Sequence, residues 1–175
     1  MKTAIESYQK AVELHPNFAY AHSNMGSAYY RLALDEFYHG EDASKSIQHA
    51  IGAHSRVIEI DPKYVLAFNN LGNAYSLLSE YKLGHGEDPR DNLQSAINSY
   101  ENALKLNPEY ADSYLAMAQL YRWRSVWDSV NKQPASVDLE QANSYLEKTL
   151  SISPNMKEAL ILQDIIKRLG EKTDN

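Results

Sequence analysis

The stretch His39-Gly40-Glu41-Asp42 returns as His85-Gly86-Glu87-Asp88. Two imidazoles and four carboxylates, repeated in one chain, are the residue types of a divalent-metal site or of general acid–base chemistry. A metal site requires His39 and His85 to come together with carboxylates at coordination distance, which copies stacked side by side could achieve. The same four residues also spell a backbone corner. Glycine readily takes the left-handed conformation that closes a helix, and the aspartate beyond it accepts hydrogen bonds from the free amides of the next helix. Pro89, behind Asp88, suits a first helical position. A third copy, Asn131-Lys132-Gln133-Pro134, keeps the turn but has no histidine, glycine or acid. A chemical site present once per repeat would not be lost while its bend is kept, so the corner is the reading adopted. Sensitivity to a chelator is the observation that would reverse it.

Other chemistry finds little support. No phosphate-cradling G-x-x-x-x-G-K, G-x-S-x-G elbow or H-E-x-x-H occurs, and the chain has no cysteine. No catalytic residue, metal ligand or cofactor is therefore expected, and the chain is read as non-enzymatic. The formal net charge is −6, with no basic stripe to meet a phosphate backbone, which argues against nucleic acid. No apolar run is long enough for a membrane span and the N-terminus lacks a secretory signal, so a cytoplasmic setting without membrane contact is expected.

The elements that position these residues follow from a period. Pro16, Pro62, Pro108 and Pro154 stand 46 residues apart, preceded by AIESYQKAVELHP, AIGAHSRVIEIDP, AINSYENALKLNP and ANSYLEKTLSISP. Downstream of the first three come FAYAHSNMGSAYY, YVLAFNNLGNAYS and YADSYLAMAQLYR in the same register. Ala21, Met25, Ala28, Tyr29 and Leu32 recur at spacings of three and four, as do Ala50, His54, Val57 and Ile58, and Ala96, Tyr100, Ala103 and Leu104. Each set lies on one helical face, and each proline stops the second helix of a pair. The expectation is an all-α stack of antiparallel helix pairs, eight helices and no strands.

Within this frame His22-x2-Met25-Gly26-x2-Tyr29, Phe68-x2-Leu71-Gly72-x2-Tyr75 and Tyr114-x2-Met117-Ala118-x2-Tyr121 resemble the first half of the tetratricopeptide (TPR) signature. Ala50-x3-His54 to Pro62, Ala96-x3-Tyr100 to Pro108 and Ala142-x3-Leu146 to Pro154 resemble its second half. The resemblance implies an α-solenoid: an orphan second helix over 3–16, repeats over 17–62, 63–108 and 109–154, and a C-terminal capping helix over 155–170. A family repeat is about 34 residues, so roughly a dozen are added here between the helices of each pair, lengthening each by about six residues or 9 Å. Gly86-Glu87-Asp88-Pro89-Arg90 also resembles the corner of lengthened TPR repeats in some bacterial serine/threonine kinases of eukaryotic type.

The resemblance further implies that first helices line a groove for a protein or extended peptide. Its wall would be Tyr20, Ser23, Asn24, Ser27 and Arg31, then Leu66, Asn69, Asn70, Asn73 and Leu77, then Asp112, Leu115, Gln119, Arg122 and Trp123. Asn24 and Asn70 resemble two rungs of the asparagine ladder that holds peptide backbone in some TPR proteins, although ordinary solvated amides would look the same. Ser23 and Asn69 stand where a lysine that clamps chaperone tails would be, so no such clamp is expected. Trp123 and Trp127, flanked by Arg122 and Arg124, read as a cation–π platform or as helix packing. His22 and His54 share columns with Phe68 and Tyr100 and are read as packing residues. The apolar face of the first helix, Ile5, Tyr8 and Val12, has no sequence-local cover, which suggests a fragment that self-associates there. Gln163, Asp164 and Lys167 give the last helix a polar outer face.

Overall fold

The computed structural model describes residues 2–131 and 136–173. Among them all regular structure is helical: α1 (Lys2–Leu14), α2 (Ala19–Tyr38), α3 (Ser44–Ile60), α4 (Val65–Gly84), α5 (Arg90–Leu106), α6 (Ala111–Val130), α7 (Ser136–Ile152) and α8 (Lys157–Thr173). Helices α2, α4 and α6 each run 20 residues, and α3, α5 and α7 each run 17.

Two kinds of connection alternate. Before α2, α4, α6 and α8 the chain makes a four-residue turn with proline or its neighbour at the bend, closed by Phe18 N–H to His15 O (3.0 Å), Tyr64 to Asp61 (3.1 Å), Tyr110 to Asn107 (3.2 Å) and Met156 to Ser153 (3.1 Å). Proline at the second position of such a turn fixes φ where the turn needs it and leaves no donor unpaired. Asp61 and Asn107 tighten two of these bends by accepting from the amides of Lys63 and Glu109. The longer corners follow α2 and α4 at Gly40 and Gly86.

The helices sort into two compact units, Met1–Leu106 and Asn107–Asn175. In the first, α2 packs along α3, α4 along α5, and α2 also touches α4. Its core gathers Ala33, Ala43, Ile47, Ala50, Ala74, Leu77 and Leu78. Leu77, expected on the groove wall, is thus a core residue: its apolar side chain turns inward, where burial is worth about 2 kcal/mol. In the second unit α6 packs along α7 and α8 covers both, around Ala118, Leu139, Ala142, Leu146, Leu162 and Ile166.

Small residues at the helix crossings admit a ring from the partner helix. A Cβ on Gly26 would stand 2.8 Å from the His54 imidazole, and one on Gly72 would stand 2.5 Å from the Tyr100 ring. His54 and Tyr100 are each 1% exposed. Both are packing residues, as their columns suggested.

The ends depart from expectation. The face of α1 was expected to lack a local cover, yet Ile5 is buried and α1 packs against α2, with Tyr8 and Val12 half-buried. The following helix, α2, supplies the cover. In α8, Gln163, Asp164 and Lys167 are exposed as expected, but Leu160, Ile161 and Ile165 are exposed beside them, Ile161 at 63%. The outer face of that helix is mixed and not polar throughout, because its buried stripe is confined to Ala159, Leu162 and Ile166.

Candidate functional site

The repeated histidines and acids can now be assigned one by one. Gly40 and Gly86 both have φ of 73°, the left-handed conformation that costs an ordinary residue about 1 kcal/mol or more. Around them Gly40 N–H bonds to Phe37 O and Glu41 N–H to Glu36 O, and Gly86 and Glu87 do the same with Leu83 and Lys82. These paired bonds satisfy carbonyls that the end of a helix leaves free. The His39 and His85 rings add a third: each Nδ1 lies 2.7 Å from the carbonyl four residues back, Asp35 or Tyr81. A carbonyl only accepts, so each Nδ1 carries the proton and donates.

Asn131 occupies the same column and its side-chain nitrogen donates to Trp127 O at 2.8 Å. The column therefore asks for a donor that caps a helix, and histidine and asparagine both serve. Lys132, Gln133 and Pro134 of this third corner lie outside the described residues.

Asp42 and Asp88 start the next helices. Their carboxylates accept from the amides of Ser44 (2.9 Å) and Arg90 (3.0 Å), and Asp42 also from the Tyr81 hydroxyl (2.9 Å). Hydrogen bonds from the Ser44 hydroxyl and amide, and then from Tyr81, hold the Asp42 carboxyl down at about 2. The Arg90 side chain and amide hold Asp88 at about 2. Among the described residues no three histidines or acids come together in a cluster able to hold a metal ion.

On the first unit's expected groove face, the residues fall into depths. Tyr20 and Arg31 are exposed, while Asn24, Ser27, Asn70 and Asn73 are half-buried. Ser23 and Asn69 keep only 8% and 6% of their surface, so they offer little to a ligand. Leu66 stands exposed at the start of α4. Asn73 accepts a hydrogen bond from the Tyr100 hydroxyl at 2.8 Å. Ser27 is turned back on its own helix, donating to Ser23 O at 3.0 Å.

In the second unit Asp112, Gln119 and Trp123 are exposed, and the Arg122 guanidinium carbon lies 4.6 Å above the Trp123 ring. Arg122 and Trp123 thus form a cation–π pair at the surface. Arg124 does a different job. Its guanidinium grips both carboxylate oxygens of the buried Asp138, through Nε at 2.8 Å and through Nη2, and lies over the Tyr121 ring. It ties α6 to the first turn of α7. Trp127 is half-buried.

A cleft of about 500 Å³ that sequence reasoning missed lies on the first unit, between α1 and α3 and floored by α2. Gln9, Val12, Met25, Tyr29, His49 and Arg56 line it. Tyr29 stacks on His49 at 4.6 Å and accepts from Gln9. His22, also at its floor, has its Nε2 on Pro16 O at 2.9 Å. Helices α1 and α3 each pack on α2 and leave this hollow between them, and no local spacing announces it.

These features meet known proteins at one point. A family profile described as TPR repeat matches residues 1–32 and 90–122. The fold of the MamA protein superposes with a TM-score of 0.63 at 21% identity, covering 96% of this chain and 78% of that one. The chain has a TPR fold. The first TPR domain of human RPAP3 is similar at a TM-score of 0.56 and 21% identity, covering 87% of this chain and 98% of that one. The first TPR of Spaghetti bound to the HSP90 peptide SRMEEVD is similar at 0.53 and 18%, covering 87% and 96%. No curated protein matches the chain at a significant level. By residue range α2, α4 and α6 correspond to the expected first helices and α3, α5 and α7 to the expected second helices.

Proposed function

We propose that the chain is a non-enzymatic scaffold module that holds an extended segment of a partner protein on the first-helix face of its TPR pairs. The observation that carries this reading is the column Asn24 and Asn70, half-buried amides at matching positions on two helices that touch, α2 and α4. An amide both donates and accepts, which suits a peptide backbone better than a charged tail. Ser27 and Asn73 continue the face, Tyr20 and Arg31 form its rim, and Ser23 and Asn69 support it from below. Asp112, Gln119, Arg122 and Trp123 are a separate candidate binding surface on the second unit. The TPR domain of Spaghetti was solved with an HSP90 peptide, which supports peptide binding as the use of this fold. Ser23 and Asn69, in place of lysines, direct this chain away from such acidic tails.

The lengthened repeat and the corner at residues 86–90 favour a module of a larger bacterial cytoplasmic protein. A pull-down from the native host, read by mass spectrometry, tests the reading: Asn70→Arg should lose the partner that the unaltered chain retains. Equal recovery by both would overturn it. A second reading, self-association through α1, rests on Leu14 and Phe18, which stand exposed at the end of α1 and in the turn after it. Light scattering across concentration tests it, and a constant monomer mass would dismiss it.

A further inference from the structure

Gly72 has no Cβ, and the Tyr100 ring passes through the space one would fill. Its hydroxyl thereby reaches the next residue of α4 and meets Asn73 Oδ1 at 2.8 Å. Which end of the Asn73 amide faces Tyr100 is decided by satisfaction. The phenol is 1% exposed and its O–H donates to Asn73. Turning the amide round would give the phenol oxygen a donor and leave its own proton buried without an acceptor, at a cost of about 1–3 kcal/mol. Burial pushes the Tyr100 hydroxyl well above the ordinary tyrosine value, so that proton stays in place. With Oδ1 held, the Asn73 amide nitrogen is the free end, and no described residue accepts from it.

The other copies lack this device. In the first, His54 lies over Gly26 but both of its ring nitrogens are unpartnered, so it does not reach Ser27. In the third, the equivalent of Tyr100 is the buried Leu146 beside Ala118, which has nothing to donate to Gln119.

We infer that Tyr100 is a positioning residue that fixes Asn73 as a one-way hydrogen-bond donor, so that the α4 face selects an acceptor, the carbonyl oxygen of a ligand's backbone. This rests on the scaffold reading of that face. A fixed donor needs no reorientation when the carbonyl arrives, which removes part of the ordering cost of binding.

The test uses acetyl-triglycine-N-methylamide, a probe with carbonyls and no side chains, titrated into the full chain and followed by side-chain amide NMR. The Asn73 amide signals should shift on titration. Asn73→Asp keeps an acceptor for Tyr100 but replaces the outward donor with an acceptor, and should weaken the probe about tenfold with helicity unchanged. Tyr100→Phe frees the amide and should weaken the probe severalfold less. Shifts along α2 and α4 that are the same in Asn73→Asp would overturn this inference and leave the scaffold reading standing. Absence of any shift on either helix would overturn both.

Discussion

The Tyr100 ring lies so close over Gly72 that a Cβ at that position would stand 2.5 Å from it. Gly72→Ala should therefore destabilise the fold by about 1–3 kcal/mol, the cost of overpacking, despite the gain of up to about 1 kcal/mol that alanine brings to a helix. Gly52 lies in α3 with nothing within 4 Å of an added Cβ. Gly52→Ala should stabilise by about 0.5–1 kcal/mol. Urea melts of the two variants give opposite signs if the crossing is as described.

His54 is buried under the same kind of crossing, and burial lowers it from 6.5 to about 4. The folded state keeps it neutral while the unfolded chain takes up a proton below about 6.5. Stability is thus fully present above that pH and is lost as pH falls toward 4, by up to roughly 3 kcal/mol. Denaturant melts between pH 7 and 4 should show the slope, and His54→Phe should flatten it.

Asp138 is buried and its carboxylate is gripped by Arg124. Removing one partner leaves the other desolvated without compensation, so Asp138→Ala should cost about 2–4 kcal/mol. The double variant Asp138→Leu with Arg124→Met should recover much of the loss. Thermal melts of the single and double variants measure the coupling.

The corners separate geometry from chemistry. Asn131 already does the work of His39 and His85, so His39→Asn and His85→Asn should change stability by less than about 0.5 kcal/mol. Gly40→Ala and Gly86→Ala, at φ of 73°, should each cost about 1–2 kcal/mol. A chelator should leave the melting temperature unchanged, and a clear shift would restore the metal reading.

Much of this was legible because repeats align columns. Proline spacing placed the turns, glycine followed by aspartate placed the corners, and apolar spacing placed the helices, since each is a local rule. The depth of a column is not local. Ser23 and Asn69 sit at the same angle around their helices as a groove wall requires, but how far neighbouring helices reach over them depends on packing that spacing does not encode. The same holds for Leu77, drawn into the core, and for Arg124, whose partner Asp138 lies on another helix across a corner. The Tyr100 to Asn73 bond was hidden although both residues were noticed, because it depends on a ring crossing the gap left by Gly72. The exposed Ile161 and Ile165 were missed because the expectation of a polar outer face rested on Gln163, Asp164 and Lys167 alone.

The claim on which the account depends is that a partner polypeptide lies along α2 and α4. A photo-crosslinking residue placed at Asn70, in the chain expressed in its native host, tests this most directly against the same residue placed at Glu101, exposed on α5. The account predicts a crosslinked partner at Asn70 that is absent at Glu101 and that Asn73→Asp diminishes. Crosslinks of equal yield at both positions, or at Glu101 alone, would contradict it.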